Sequence, residues 1–295
     1  MKNLIFVLVS LALPAVAAPT LQEQFTSVPS CGGPVAVHQS AFALTTNYRD
    51  VHVQTGTNSW QASSASAVQD LLLTDTTLYI LRKDRIEEWD LASGERRYES
   101  STLPDSPWLP SGGEARGMAL WGDQIIIAHG RMGFSVYSLT DHKAVASQPL
   151  LQDQQPLESE ITGVVVEGNE AVFVATSYSL TGNGSKPAFR GFVIWDLADH
   201  QEKHRALGLD PGARGLMLQE QTLLVDFGGL FQTFDLKDVR QSKKVRIRRA
   251  EWKFPSNVRL LAGFDLRDSQ IWSCVSRPHA DRTRDQLPLI LDTSL

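Results

Sequence analysis

One plan of three short apolar runs joined by polar turns recurs along this chain, and a repeated unit constrains architecture more tightly than any local propensity. Its clearest copy is Ala213-Arg214-Gly215-Leu216-Met217-Leu218, then Thr222-Leu223-Leu224-Val225, then Gly229-Leu230-Phe231-Gln232-Thr233-Phe234-Asp235-Leu236. Ala115-Arg116-Gly117-Met118-Ala119-Leu120, Gln124-Ile125-Ile126-Ile127-Ala128 and Gly133-Phe134-Ser135-Val136-Tyr137-Ser138-Leu139 repeat it. Residues 162–166, 171–174 and 192–197 form a third copy, and 70–73, 78–81 and 86–91 a fourth. Weaker copies stand at the ends, one at 34–37, 42–44 and 51–53, the other at 262–266, 271–274 and 289–292.

Each copy reads as an antiparallel meander: β-branched and aromatic runs, turns such as Gly122-Asp123 and Glu167-Gly168-Asn169, and a fourth, more polar run outside. The first run is almost wholly apolar, as a strand buried on both faces must be. A lone meander cannot bury two faces, but meanders packed radially can, leaving short protected edges. The expected fold is therefore all-β, a single β-propeller of six four-stranded blades; five blades and a cap is the rival count. The last copy ends after its third strand, so the segment Thr20-Leu21-Gln22-Glu23-Gln24-Phe25-Thr26-Ser27-Val28 is expected to close the ring as the missing fourth strand of the last blade. The two cysteines, Cys31 and Cys274, would then lie side by side, and in an oxidising compartment such a pair bridges.

Export is expected from the start of the chain. Lys2, an apolar run from Leu4 to Leu13 and Ala15-Val16-Ala17-Ala18 follow a signal-peptide pattern over residues 1–18, with the propeller occupying 19–295. The run is too short for a transmembrane helix, which needs about 18 apolar residues. A net charge of −5 without long like-charged blocks carries no nucleic-acid signature. The basic run 243–249 alternates with apolar residues, as a strand with one wet face would, with contact to an anionic surface as the alternative.

The hairpin endings Phe192-Val193-Ile194-Trp195-Asp196-Leu197, Phe231-Gln232-Thr233-Phe234-Asp235-Leu236 and Leu289-Ile290-Leu291-Asp292-Thr293-Ser294, with the glycine-started inner strands, give the chain a resemblance to secreted bacterial propellers of the LVIVD-repeat kind. It resembles WD-repeat and YVTN-type propellers more loosely. The resemblance covers nearly all of 19–295 and is specific for fold; such families include surface-displayed and periplasmic binding proteins, and a fold does not by itself imply a function.

Loop length points to one face. The connections 176–190 and 276–286 between second and third strands, and 101–114 and 152–160 between blades, are the long ones, and both kinds emerge on the same side of a propeller. Long connections on a rigid scaffold are where binding sits. Arg116 and Arg214 occupy the same repeat position, just before the glycine that opens the inner strand, and are placed near the channel mouth. Two guanidiniums there could fork onto a carboxylate or phosphate; the alternative is that they bond neighbouring loops through groups such as Glu114 and Asp210. His129, Arg131, Arg277 and His279 are placed on the same side, and Tyr178 and Trp108 are candidate recognition aromatics. Trp108 could equally wedge between blades. Asp84, Asp105, Asp226, Asp281 and Asp285 share these loops, so the mouth is not uniformly basic.

No nucleophile elbow and no His-Glu-x-x-His occurs, and the seven histidines have no compact ligand spacing. Two functional classes stand. One is an extracytoplasmic binding or scaffold propeller presenting its long-loop face to a protein or cell-envelope partner, acting as a monomer without cofactor. The other is a channel-metal hydrolase or lactonase, whose Ca²⁺ ligands would be scattered over several blades. Assembly through the outer strands is a third, weaker option.

Overall fold

The computed structural model describes residues 20–100, 115–130, 133–148, 150, 159–176, 189–210, 212–228, 230–245, 249–253, 259–278 and 284–292. A short helix, α1 (Leu21–Thr26), precedes six antiparallel sheets arranged as the blades of a propeller. Blade 1 holds β1 (Val35–His38), β2 (Ala41–Thr46), β3 (Asp50–Thr55) and β4 (Asn58–Ala62). Blade 2 holds β5 (Val68–Leu73), β6 (Thr77–Arg82), β7 (Ile86–Asp90) and β8 (Arg96–Glu99). Blade 3 holds β9 (Gly117–Trp121), β10 (Gln124–Ala128), β11 (Phe134–Ser138) and β12 (Lys143–Gln148). Blade 4 holds β13 (Glu160–Glu167), β14 (Glu170–Thr176), β15 (Gly191–Asp196) and β16 (Gln201–Leu207). Blade 5 holds β17 (Gly215–Gln219), β18 (Thr222–Asp226) and β19 (Leu230–Asp235), then helix α2 (Leu236–Gln241) and β20 (Arg249–Lys253). Blade 6 holds β21 (Arg259–Arg267), β22 (Gln270–Pro278) and β23 (Arg284–Asp292). The innermost strands neighbour one another in turn, β1 beside β5, then β9, β13, β17 and β21, and β21 returns to β1.

Strand periodicity explains why second strands such as β10 and β14 carry apolar side chains on both faces. Successive side chains of a strand point to opposite faces, and here each face is the core of a different blade junction. On β10, Ile125 and Ile127 pack toward blade 2, whereas Ile126 and Ala128 pack toward blade 4. On β14, Phe173 and Ala175 meet blade 3, and Val172 and Val174 meet blade 5. The apolar core is thus divided into separate clusters, one at each junction. Outer strands such as β16 alternate exposed and half-buried positions, as strands wet on one side do.

Closure departs from the sequence expectation. Among the described residues blade 6 has three strands, and the Thr20–Val28 segment supplies a helix rather than a fourth strand. Thr20 and Glu23 form a reciprocal capping box, with the Glu23 carboxylate accepting the Thr20 N–H at 2.7 Å and the Thr20 hydroxyl accepting the Glu23 N–H at 3.2 Å. Leu21, Phe25 and Val28 then fall on one helical face and pack on the junction of blades 6 and 1. Phe25 is fully buried, its ring set edge-on to Trp272 at 4.9 Å and to Phe42 at 5.3 Å. The expected pairing of termini holds by covalent means: Cys31 and Cys274 are joined in a disulfide, with 5.7 Å between their Cα atoms. Such a bond is compatible with an extracytoplasmic location. Pro288 lies at the middle of β23, the outer strand of that blade, and proline is tolerated in sheets at such edges.

A second departure concerns blade 5. At the start of the basic run 243–249, Lys244 forms a parallel bridge with Leu207 of blade 4 and Val245 is buried at the junction of blades 4 and 5 rather than wet; residues 246–248 lie outside the described residues, and β20 is described from Arg249. Helix α2, capped by Asp235, lies upstream of it, so the third-to-fourth connection of this blade is a long one. No helix among the described residues is long and apolar enough to cross a membrane.

Two stability predictions follow from this framework. Breaking the disulfide by Cys31→Ala and Cys274→Ala is expected to cost about 3–5 kcal/mol in urea unfolding, since it frees a loop spanning most of the chain; an unchanged midpoint would remove the bond's closing role. The second concerns Arg82, wholly buried, which clamps Glu87 through both its Nε and Nη2 and donates from Nη1 to the carbonyls of Arg49 and Ser66. Arg82→Met removes the bidentate partner of Glu87, leaving it Arg85 at 3.7 Å and the Trp89 indole N–H at 3.1 Å, and is expected to cost about 3 kcal/mol, most of it recovered in Arg82→Met/Glu87→Leu. A loss under about 1 kcal/mol in the single variant would show that the pair contributes no more than an exposed one.

Candidate functional site

The six inner strands enclose a central channel of ≈700 Å³, which every blade helps to line. Close approach of these strands depends on their glycines. A Cβ on Gly163 would lie 3.0 Å from the Leu216 nitrogen and 3.1 Å from its Cβ, and one on Gly263 would lie 2.8 Å from the Pro34 Cα. Gly263 also has φ +64°, a left-handed conformation that favours glycine.

Because all inner strands run in the same sense through the ring, equivalent repeat positions gather at one mouth. Arg116 and Arg214 are equivalent in detail: their backbone N–H groups donate to the carbonyls of Ala128 and Asp226, each at 2.8 Å, and both side chains line the channel. Glu160, from the blade between them, joins them there, with 3.9 Å between an Arg116 Nη2 and its Oε2. The Arg214 guanidinium is exposed and rests over Gly228, where a Cβ would come within 3.3 Å of Cζ. Among the described residues no hydrogen bond or ion pair engages the Arg214 side chain. Asp210, one of its sequence-suggested partners, accepts instead from Gln232 Nε2 at 3.3 Å. Glu114 lies outside the described residues.

Deeper in the channel sit two carboxyl groups that were not singled out as site residues from sequence. Asp70 Oδ2 accepts the Met118 N–H of the next blade at 2.8 Å, and its Oδ1 accepts the Leu71 N–H at 2.9 Å. Asp265 does the same at the ring closure, accepting from Val37 at 2.5 Å and from Leu266 at 2.7 Å. Each acid thus ties its own inner strand to that of the following blade. Enclosure by the ring penalises their charged forms. It pushes Asp70 up to about 7 and Asp265 up to about 6, against the pull of the N–H donors; the Asp265 charge adds to the rise at Asp70. The visible signal was a lone acid in each of two apolar inner-strand runs, Gln69-Asp70-Leu71-Leu72-Leu73 and Gly263-Phe264-Asp265-Leu266.

The remaining candidates separate. His129 is buried rather than displayed at the mouth, with its Nε2 2.6 Å from the Ser135 hydroxyl. Arg277 is exposed near the end of β22, on the long-connection face. Arg131, Tyr178, His279 and Trp108 lie outside the described residues. Among the described residues no three or more His, Cys, Asp or Glu side chains gather closely enough to hold a metal ion.

No known protein family matches this sequence, and no curated protein does. Solved structures share its fold. BamB from Moraxella catarrhalis is similar with a TM-score of 0.51 at 10% identity over 88% of this chain and 85% of that one. The computationally designed Ika8 protein gives 0.47 at 12% identity over 88% and 97%. At such identities the likeness is one of architecture.

The buried acids make stability pH-dependent. A carboxyl whose folded pKa exceeds its unfolded value, near 3.8, holds a proton in the folded state that the unfolded state has released. Folding stability is therefore expected to fall as pH rises from about 4 through 6–7, by at most about 1.4 kcal/mol per pH unit for each group, and then to level off. Unfolding midpoints compared between the native chain and Asp70→Asn/Asp265→Asn across that window check this. The double variant loses hydrogen-bond acceptors at every pH but should lack the extra slope; equal slopes would refute the assignment.

Proposed function

We propose that this chain is an extracytoplasmic binding propeller, exported by residues 1–18 and presenting the face that carries its long connections to a protein or cell-envelope partner. The observation that carries the reading is the unequal treatment of the two faces. On one, β9 and β10, β13 and β14, β17 and β18, and β21 and β22 join through turns as short as Gly122-Asp123 and Gly168-Asn169, the β19–β20 connection with helix α2 being the long exception. On the other, among the described residues, the strand after Glu99 begins at Gly117, that after Gln148 at Glu160, and that after Thr176 at Gly191. That same face holds Arg116, Arg214 and Arg277. A ring stapled by a disulfide is a rigid base for such connections, and rigid scaffolds bearing variable loops serve recognition. Burial of His129 against Ser135 removes one sequence candidate from the recognition surface.

Photocrosslinking in the native cell tests the proposal. A benzophenone amino acid replacing Arg214 or Arg277 is expected to give a discrete adduct with an envelope component, and one replacing Gly122 or Gly168, on the opposite face, is expected to give none. Adducts confined to the short-turn face, or fractionation of the chain with the cytosol, would overturn it.

A further inference from the structure

The charged groups of the channel are not scattered around it. Arg116 and Arg214 stand on blades 3 and 5, flanking blade 4; Asp70 and Asp265 stand on blades 2 and 6, flanking blade 1, on the opposite side of the ring. Glu160 tempers the basic wall, its Oε2 standing 3.9 Å from an Arg116 Nη2, and the Arg214 side chain has no ionic partner among the described residues. Between the two poles the lining mixes apolar side chains, Leu72, Ala119, Val166 and Met217 among them, with polar ones such as Gln69 and Thr162.

We propose that the channel is a binding site for a small zwitterion, an aliphatic amino or guanidino carboxylate, whose carboxylate meets Arg214 and Arg116 at the mouth and whose cationic end reaches Asp70 and Asp265. Three features support this. The poles also differ in depth: Asp70 is bonded to the Met118 N–H, two residues along the strand from Arg116, or about 7 Å of extended chain. That offset matches the span of an α-amino acid with a long basic side chain. The second is occupancy. Each oxygen of Asp70 and Asp265 accepts one N–H, and a carboxylate oxygen offers two lone pairs, so both acids retain acceptor capacity. Enclosure raises both carboxyls, and no cationic side chain is among the groups that act on Asp70, so a ligand ammonium would supply the charge missing there. Third, ≈700 Å³ falls within the about 300–1,000 Å³ typical of small-molecule sites. The inference does not depend on the partner-binding reading of the outer face.

Isothermal titration of the disulfide-bonded protein with lysine, 6-aminohexanoate, hexanoate and hexylamine tests it. The two zwitterions are expected to bind, and the two singly charged analogues to bind at least about tenfold more weakly. Arg214→Ala, an exposed change, should weaken 6-aminohexanoate about tenfold and abolish its advantage over hexylamine. Asp70→Asn should abolish its advantage over hexanoate. Should Asp70→Asn fail to fold, the ligand series and Arg214→Ala decide the matter alone. Hexanoate binding as tightly as 6-aminohexanoate, zwitterion affinity unchanged by Arg214→Ala, tight binding of Ca²⁺ with no response to the zwitterions, or no heat from any probe would each overturn the proposal.

Discussion

Everything in this molecule depends on packing each sheet on both faces. A four-stranded meander exposes two apolar surfaces, and burying a side chain such as Ile126 or Val172 contributes about 1.5–3 kcal/mol only if a neighbour covers it. In an open stack the two end sheets would each keep one apolar face in water. Ring closure removes both ends at once. This is why the alternation on β10 and β14 divides residues between two cores, and why one junction, between blades 6 and 1, has to be made by chain segments far apart in sequence.

That junction carries reinforcement of three kinds. The disulfide ties Cys31 to Cys274, Phe25 inserts between Phe42 and Trp272, and Asp265 reaches across to the Val37 N–H. A fourth strand would have closed blade 6 by backbone pairing alone. The helix instead places a large apolar side chain into the junction, and Cys31 donates its N–H to the Gln286 carbonyl on β23. Covalent and apolar closure thus replaces part of a hydrogen-bonded ladder.

The architecture was legible because its signal is redundant: six copies of one plan of short apolar runs separated by polar turns leave little freedom for another fold. The closure was misread where the signal was single. Thr20 and Glu23 at capping-box spacing, with Leu21, Phe25 and Val28 on a helical stripe, were present in the sequence, but the expectation of a fourth strand outweighed them. In blade 5 the burial of Val245 was missed for a related reason: the alternation in 243–249 is local, whereas the pairing of Lys244 with Leu207 belongs to the neighbouring blade. At the site, Arg116 and Arg214 were legible since repeat position alone places them. Asp70 and Asp265 were not, because their roles rest on N–H groups contributed by other blades. His129 was misplaced because burial depends on how its loop packs, which spacing does not encode.

Strand direction gives the channel its chemical polarity. Each inner strand enters the ring from the long-connection face, so residues at its start, such as Arg116 and Arg214 just before their glycines, arrive at the mouth, while residues a few positions on arrive at depth. The chain varies these positions independently: arginine precedes the glycine in blades 3 and 5, and an acid follows inside blades 2 and 6. A bulge in β5 at Gln69 and another in β21 before Phe264 interrupt the ladder just ahead of those acids, at the places where each acid bonds the next blade. The acids therefore perform two tasks that pull in opposite directions. As clamps they are best with both oxygens bonded to backbone N–H groups, which favours the charged form; as enclosed groups they are penalised for that charge. A cation inside the channel would relieve the second without disturbing the first, so a ring closed in this way is electrostatically incomplete on its acidic side.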